Sequence, residues 1–201
     1  MHKPTVRTRR LATLAIGPVA ILVAGVLVWQ GSTAAFTADT RNTGNNWETG
    51  SVLLSDDDLG AAAFRIDGVV PGQTGSKCLV VTSMSTVPGE VRTYVGNLGS
   101  HGLENNILVS FAIGTGGSFS DCTGFVADTT LPPLPLAQIA ATMHSYATGI
   151  MPWTTAGTPG ETKTYKATWT FDVTGLTQAQ IDALQGKSTS VDVEWELQST
   201  L

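Results

Sequence analysis

Histidine, cysteine and charge are all scarce in this 201-residue chain, which has three histidines, two cysteines and 13% charged residues. Beyond the first few residues only His101 and His144 remain, and no H-E-x-x-H occurs, so the helical pair of zinc ligands with its adjacent general base is missing. There is no G-x-S-x-G nucleophile turn and no Gly-rich phosphate cradle leading into a helix. Eleven basic residues against sixteen acidic ones give a net charge of −5, a sign that repels nucleic acid and anionic lipid headgroups. Long apolar runs are also missing, with one exception near the start.

That exception is residues 11–28, "LATLAIGPVAILVAGVLV", preceded by Lys3, Arg7, Arg9 and Arg10 and followed by the small residues Ser32-Thr33-Ala34. A basic head, an apolar middle and a small-residue exit form the three-part layout of a secretory signal, and Gly17-Pro18 would break a continuous spanning helix. The run is just long enough to cross a bilayer, so a retained anchor is the alternative. Arg9-Arg10 followed by Leu11-Ala12-Thr13 continues poorly as a twin-arginine signal, which favours the general export route. Removing 1–34 takes four basic residues and no acidic ones, leaving seven against sixteen, a net of −9 over 167 residues. That length suits one domain with a sizeable core. Its contact with a membrane would run only through an uncleaved leader.

Both cysteines, Cys78 and Cys122, lie in the exported part, where an even pair most simply forms one disulfide. Closing a loop of that size would stabilise the fold by about 4 kcal/mol in the chain-entropy model. A thiol metal site is the alternative, but it lacks partners at suitable spacing.

What the chain has in abundance is Thr, Ser, Gly and period-two alternation. Tyr165, Ala167, Trp169, Phe171 and Val173 alternate with polar residues, and Val191, Val193, Trp195 and Leu197 do the same. Weaker strand candidates are 51–55, 61–67, 78–83, 91–95 and 107–113. Turn chemistry separates them: "DDDLG", "PGQTG", "VPGE", "GTGG" and "TPGE". The expectation is an all-β, antiparallel sandwich. Two stretches carry helical spacing instead, 134–149 ending at Gly149, and 176–186 with Thr177 as cap and Gly186 as stop. Both read as short crossovers between strands.

Candidate chemistry is thin. Asp56, Asp57 and Asp58 in "SDDDLG" could offer oxygen ligands to calcium, but the EF-hand spacing fails, and a solvated turn is the plainer reading. His101 with Glu104 in "HGLE", or both His101 and His144 with a distant carboxylate, could bind zinc; loop and helix-surface roles are the alternative. Trp169 and Trp195 fall on apolar strand faces and are expected in the core, leaving Trp47 and Trp153 as candidate sugar-stacking platforms. No catalytic residue and no cofactor is expected.

The stretch "AAFTADTRNTGNNWETGSVLLSDDDLGAAAF" resembles the start of the TasA/camelysin family of exported bacterial matrix and cell-surface proteins. The matching positions are Ala35-Phe36-Thr37, followed by Trp47, Thr49 and Gly50 opening a strand with Val52 and Leu54. "VVPGQTGSKCLVVT" and "GKSTSVDVEWELQST" resemble later segments of the family, the second of its actinobacterial branch. The resemblance implies cleavage between Ala34 and Ala35 by a dedicated signal peptidase and a jelly-roll sandwich. It also implies a secreted protein of the cell surface or biofilm matrix that can self-associate into fibres.

The expected organisation is therefore a signal peptide over 1–34, an extended segment over 35–48 and a sandwich domain over 49–201. Residues 35–46, beginning Ala35, Phe36, Thr37, Ala38, Asp39 and Thr40, would be the donor that adds a strand to a neighbouring subunit. The family also carries a metallo-endopeptidase label, which no metal motif in this sequence supports. The Cys pair and the helix-like insertion depart from the fibre formers, so a monomeric ligand- or carbohydrate-binding sandwich stays open as a further alternative.

Overall fold

In the computed structural model the described residues are 37–40, 52–59 and 68–200. The expectations for the leader, for Ala34, Ala35, Phe36 and Trp47, and for a strand at 61–67 lie outside them. The described elements are β1 (Thr37–Thr40), β2 (Leu54–Asp56), β3 (Thr74–Ser83), β4 (Gly89–His101) and β5 (Ile107–Thr115). After these come β6 (Val126–Thr130), β7 (Leu134–Pro135), α1 (Leu136–Thr142), β8 (Ile150–Thr155), β9 (Glu161–Phe171), α2 (Gln178–Asp182) and β10 (Ser188–Ser199).

The strands form two antiparallel sheets, one in the order β1-β10-β4-β8 and one in the order β2-β3-β9-β5-β6, with β7 added beside β5. The pairs β1–β10, β3–β9, β4–β8 and β5–β6 are nested in the sequence, like one long hairpin rolled up, which is the jelly-roll arrangement of a β-sandwich. Alternation determines which side chains meet between the sheets. Tyr165, Trp169 and Phe171 of β9 and Trp195 and Leu197 of β10 point inward beside Leu79, Val81, Val91 and Phe111. Each fully buried aliphatic among them, such as Leu197 or Val91, stabilises the fold by about 1.5–3 kcal/mol.

Turn chemistry works as the sequence implies at Pro71-Gly72. Gln73 N–H donates to the Val70 carbonyl at 3.0 Å and Gly72 sits at φ 78°, the left-handed position that a type II turn requires after proline. The two crossovers are helical but short. Thr177 caps α2, its side chain accepting from Gln180 N–H while Gln180 reaches back to Thr177 N–H, a capping box.

The first helical stretch is broken, contrary to a helix continuing to Gly149. It leaves helical geometry at Met143, whose carbonyl accepts Val95 N–H of β4 at 2.9 Å, and a separate 3-10 turn follows at Tyr146–Thr148. Binding a carbonyl to a strand removes it from the helix ladder, so the helix ends there. Three strands escaped the sequence reading, among them the two-residue β7 inside the stretch 134–149 expected to be helical. β6 is exposed at every position and shows no alternation, and β8 contains Pro152 and the left-handed Met151 (φ 51°). β8 is an edge strand, where proline's missing N–H costs no ladder bond.

Candidate functional site

Thr37–Thr40, the described part of the expected donor, lies as the edge strand of the smaller sheet, antiparallel to β10. The register sets Thr37 opposite Gln198, Ala38 opposite Leu197, Asp39 opposite Glu196 and Thr40 opposite Trp195. β1 thus covers four of β10's twelve residues. Among the described residues no strand pairs with 188–194 on that flank.

The solvent side of this sheet is organised around carboxylates. Tyr94 O–H donates to Glu196 Oε2 at 2.9 Å and Gln198 Nε2 to Glu196 Oε1 at 2.9 Å, which leaves the Glu196 side chain, opposite Asp39, held on both oxygens. Arg92 pairs with Glu90 and stacks 5.1 Å from the Tyr146 ring, whose O–H donates to the Glu90 carbonyl at 3.0 Å. The Glu90 carboxylate keeps the Arg92 guanidinium even more firmly protonated than usual. Partial burial, with Glu90 adding to it, raises the Tyr146 phenol above the ordinary tyrosine range.

Glu194, expected on the wet face, is instead buried at 4% exposure. Its carboxylate lies against the Cα of Gly96, where a Cβ would come within 2.7 Å of Oε1. The glycine makes the space that the longer acidic side chain fills.

The acidic triplet is divided. Asp56 ends β2, and Asp58 lies at the rim of a cleft between the sheets. Asp57 is bound on both oxygens: Oδ1 accepts Val80 N–H at 2.8 Å and Oδ2 accepts Phe119 N–H at 2.8 Å. Residues 57–59 do form the expected turn, and within it Asp57 fastens backbone. His101 ends β4, and the glycine after it closes a tight turn in which Gly102 N–H donates to Glu104 Oε2 at 2.8 Å. Backbone hydrogen bonds, with a smaller pull from His101, hold the Glu104 carboxyl below its usual range. His144 belongs to the turn after α1, its N–H donating to Thr148 Oγ1 at 3.1 Å. No group of three or more His, Cys, Asp or Glu residues that could hold a metal occurs among the described residues.

Cys78 and Cys122 form the expected disulfide, with Cα atoms 5.3 Å apart, and Cys78 is fully buried. Trp169 and Trp195 are core residues as expected. Trp153 is not a surface platform: it is 7% exposed and packs into the core from β8, because its neighbours Met151 and Thr155 also face inward at the edge of the sheet. No helix among the described residues is long and apolar enough to cross a membrane.

The inter-sheet cleft, which the sequence did not reveal, has a volume of about 1040 Å³ and is walled by Trp169, Phe171, Val191, Val193 and Leu184. Trp195 also lines it, but its Nε1, without a hydrogen-bond partner among the described residues, is sealed by packed atoms. That donor cannot orient a guest without rearrangement of the wall.

No protein-family model matches the chain, and no curated protein matches it.

Proposed function

We propose that this is a secreted structural protein of the cell surface or biofilm matrix, which self-associates when the N-terminal segment of one copy adds to the β10 edge of the next. The observation that carries this reading is the placement of Thr37–Thr40 on β10. The segment is a strand with a definite register, and its partner edge extends past it along 188–194. A neighbour's segment could take the same register with the same backbone hydrogen bonds, and exchange of an identical element between copies is a low-cost route to assembly. Head-to-tail repetition of such an exchange gives a filament when it does not close on itself. The disulfide is consistent with an oxidising, extracellular location. The likeness to the TasA/camelysin family in Ala35-Phe36-Thr37 and the following strand supports the same reading.

The test is deletion of residues 35–46 followed by electron microscopy and N-terminal sequencing of the secreted protein. Fibres from the parent beginning at Ala35 and none from the deletion are expected. Undiminished fibres from the deletion, or a parent that keeps its leader, would refute the proposal.

A further inference from the structure

The segment 116–125, between β5 and β6, does not stay at its own edge of the larger sheet. β5 lies next to β6 at one side, and β9, β3 and β2 follow in order toward the other. The segment crosses β9 and β3 and reaches the end of β2. Phe125 lies beneath the Lys166 ammonium of β9 at 5.9 Å, Cys122 is bonded to Cys78 of β3, and Phe119 sits 4.0 Å from the Lys77 ammonium of β3. At its far end Phe119 N–H reaches Asp57, the residue after β2.

The two legs of the segment run close together. A Cβ on Gly116 would collide with the Gly124 carbonyl, and Ser118 N–H donates to the Asp121 carbonyl at 2.8 Å. Asp121 Oδ1 accepts Thr123 N–H at 2.6 Å and stiffens the tip. The result is a narrow loop folded over the sheet and covalently pinned near its middle.

β2 is short, held by the buried Leu54 and by Met84 N–H donating to the Leu53 carbonyl at 2.8 Å. It pairs with β3 over three residues, and strands that short contribute little on their own. Where the ladder would continue, the Asp57 side chain takes Val80 N–H in place of a backbone carbonyl. Its second oxygen takes the loop's amide, so one carboxylate joins β2, β3 and the crossing loop through charge-assisted hydrogen bonds.

We propose that 116–125 is a strap and Asp57 its latch, such that the Cys78–Cys122 bond holds the edge strand β2 closed through this single carboxylate. The disulfide then acts on a part of the fold it does not touch, and β2 opens only when Asp57 releases Phe119. This device is independent of whether the protein polymerises.

Amide hydrogen exchange on the purified, disulfide-bonded protein tests it, with the parent compared to Asp57→Ala, Asp57→Asn, Cys78→Ser/Cys122→Ser and the triple combination of the last with Asp57→Ala. Asp57→Ala should speed exchange over 52–59 and at Phe119 by about tenfold or more, while β4 and β10 keep their protection. Asn retains one acceptor oxygen and should fall between Ala and the parent. Removing the cysteines should speed 52–59 to a similar extent, and adding Asp57→Ala to that background should change 52–59 little, because a slack strap gives the latch nothing to hold. Parent-like exchange over 52–59 in Asp57→Ala, or independent and additive effects of the two changes, would overturn the proposal. Should the serine variant not fold, the order parent, Asn, Ala in the oxidised protein makes the same decision.

Discussion

Tyr165 of β9 donates its phenolic O–H to the Met151 carbonyl of β8 at 3.3 Å, joining the two sheets through the core. Met151 holds a left-handed backbone (φ 51°) at the irregularity between β4 and β8, which turns its carbonyl out of the regular ladder. Burial pushes the Tyr165 phenol far above the usual tyrosine range, with the neighbouring Thr93 hydroxyl opposing the shift in part. In the unfolded chain the same group ionises near pH 10. Its contribution to stability is therefore complete below about pH 10 and is lost as pH rises from there toward the folded value, at up to about 1.4 kcal/mol per pH unit. Urea midpoints measured between pH 8 and 11.5 should fall steeply in the parent. In Tyr165→Phe they should fall less steeply, from a starting point about 1 kcal/mol lower. Equal slopes would show that this phenol does not drive the alkaline loss.

Gly96 and Glu194 form a size-matched pair across β4 and β10. Gly96→Ala should cost about 1 kcal/mol, since the new methyl meets the end of the Glu194 side chain and forces it to shift. Glu194→Asp, one methylene shorter, should recover part of that loss when combined with it. A denaturation midpoint for Gly96→Ala equal to the parent's would contradict the packing described.

The two crossovers should respond differently to truncation. Ile139 of α1 is fully buried, and Ile139→Ala should cost about 2–5 kcal/mol. Thr177 only caps an exposed helix, so Thr177→Ala should cost about 1 kcal/mol and leave the core's tryptophan fluorescence unchanged. Thermal melts of both variants, compared side by side, check the contrast.

Removing the disulfide with Cys78→Ser/Cys122→Ser should cost about 2–5 kcal/mol in global stability, because the bond closes a loop of sequence separation 44. Guanidinium unfolding under oxidising conditions measures it.

The sandwich was legible where one face of a strand is dry and the other wet. Tyr165 through Phe171 and Val193 through Leu197 announce their strands because alternate side chains meet the opposite sheet. β6 could not be read, since a strand exposed on both faces has no reason to alternate, and β8 was hidden by Pro152 and the bulge at Met151. Trp153 was misread for the same reason: without the strand, its inward direction has no basis.

Asp57 shows a different limit. Composition makes it one of three equivalent acids, and its two distant partners, Val80 N–H and the Phe119 N–H of a loop returning from more than sixty residues away, are invisible in the local sequence. Long-range partners of that kind leave no local pattern. The pairing of Cys78 with Cys122 was legible because only one pairing was available.

The nesting of the strands imposes an order on biosynthesis. Thr37, among the first residues of the sandwich to leave the ribosome, pairs with Gln198, among the last, and β4, made later, also waits for β10. The larger sheet can join β3, β5 and β9 once residue 171 has been made, while the smaller one keeps its central position vacant until translation is nearly finished. So high a contact order makes for slow closure, and the emerging chain must keep β1 and β4 from pairing elsewhere until β10 arrives.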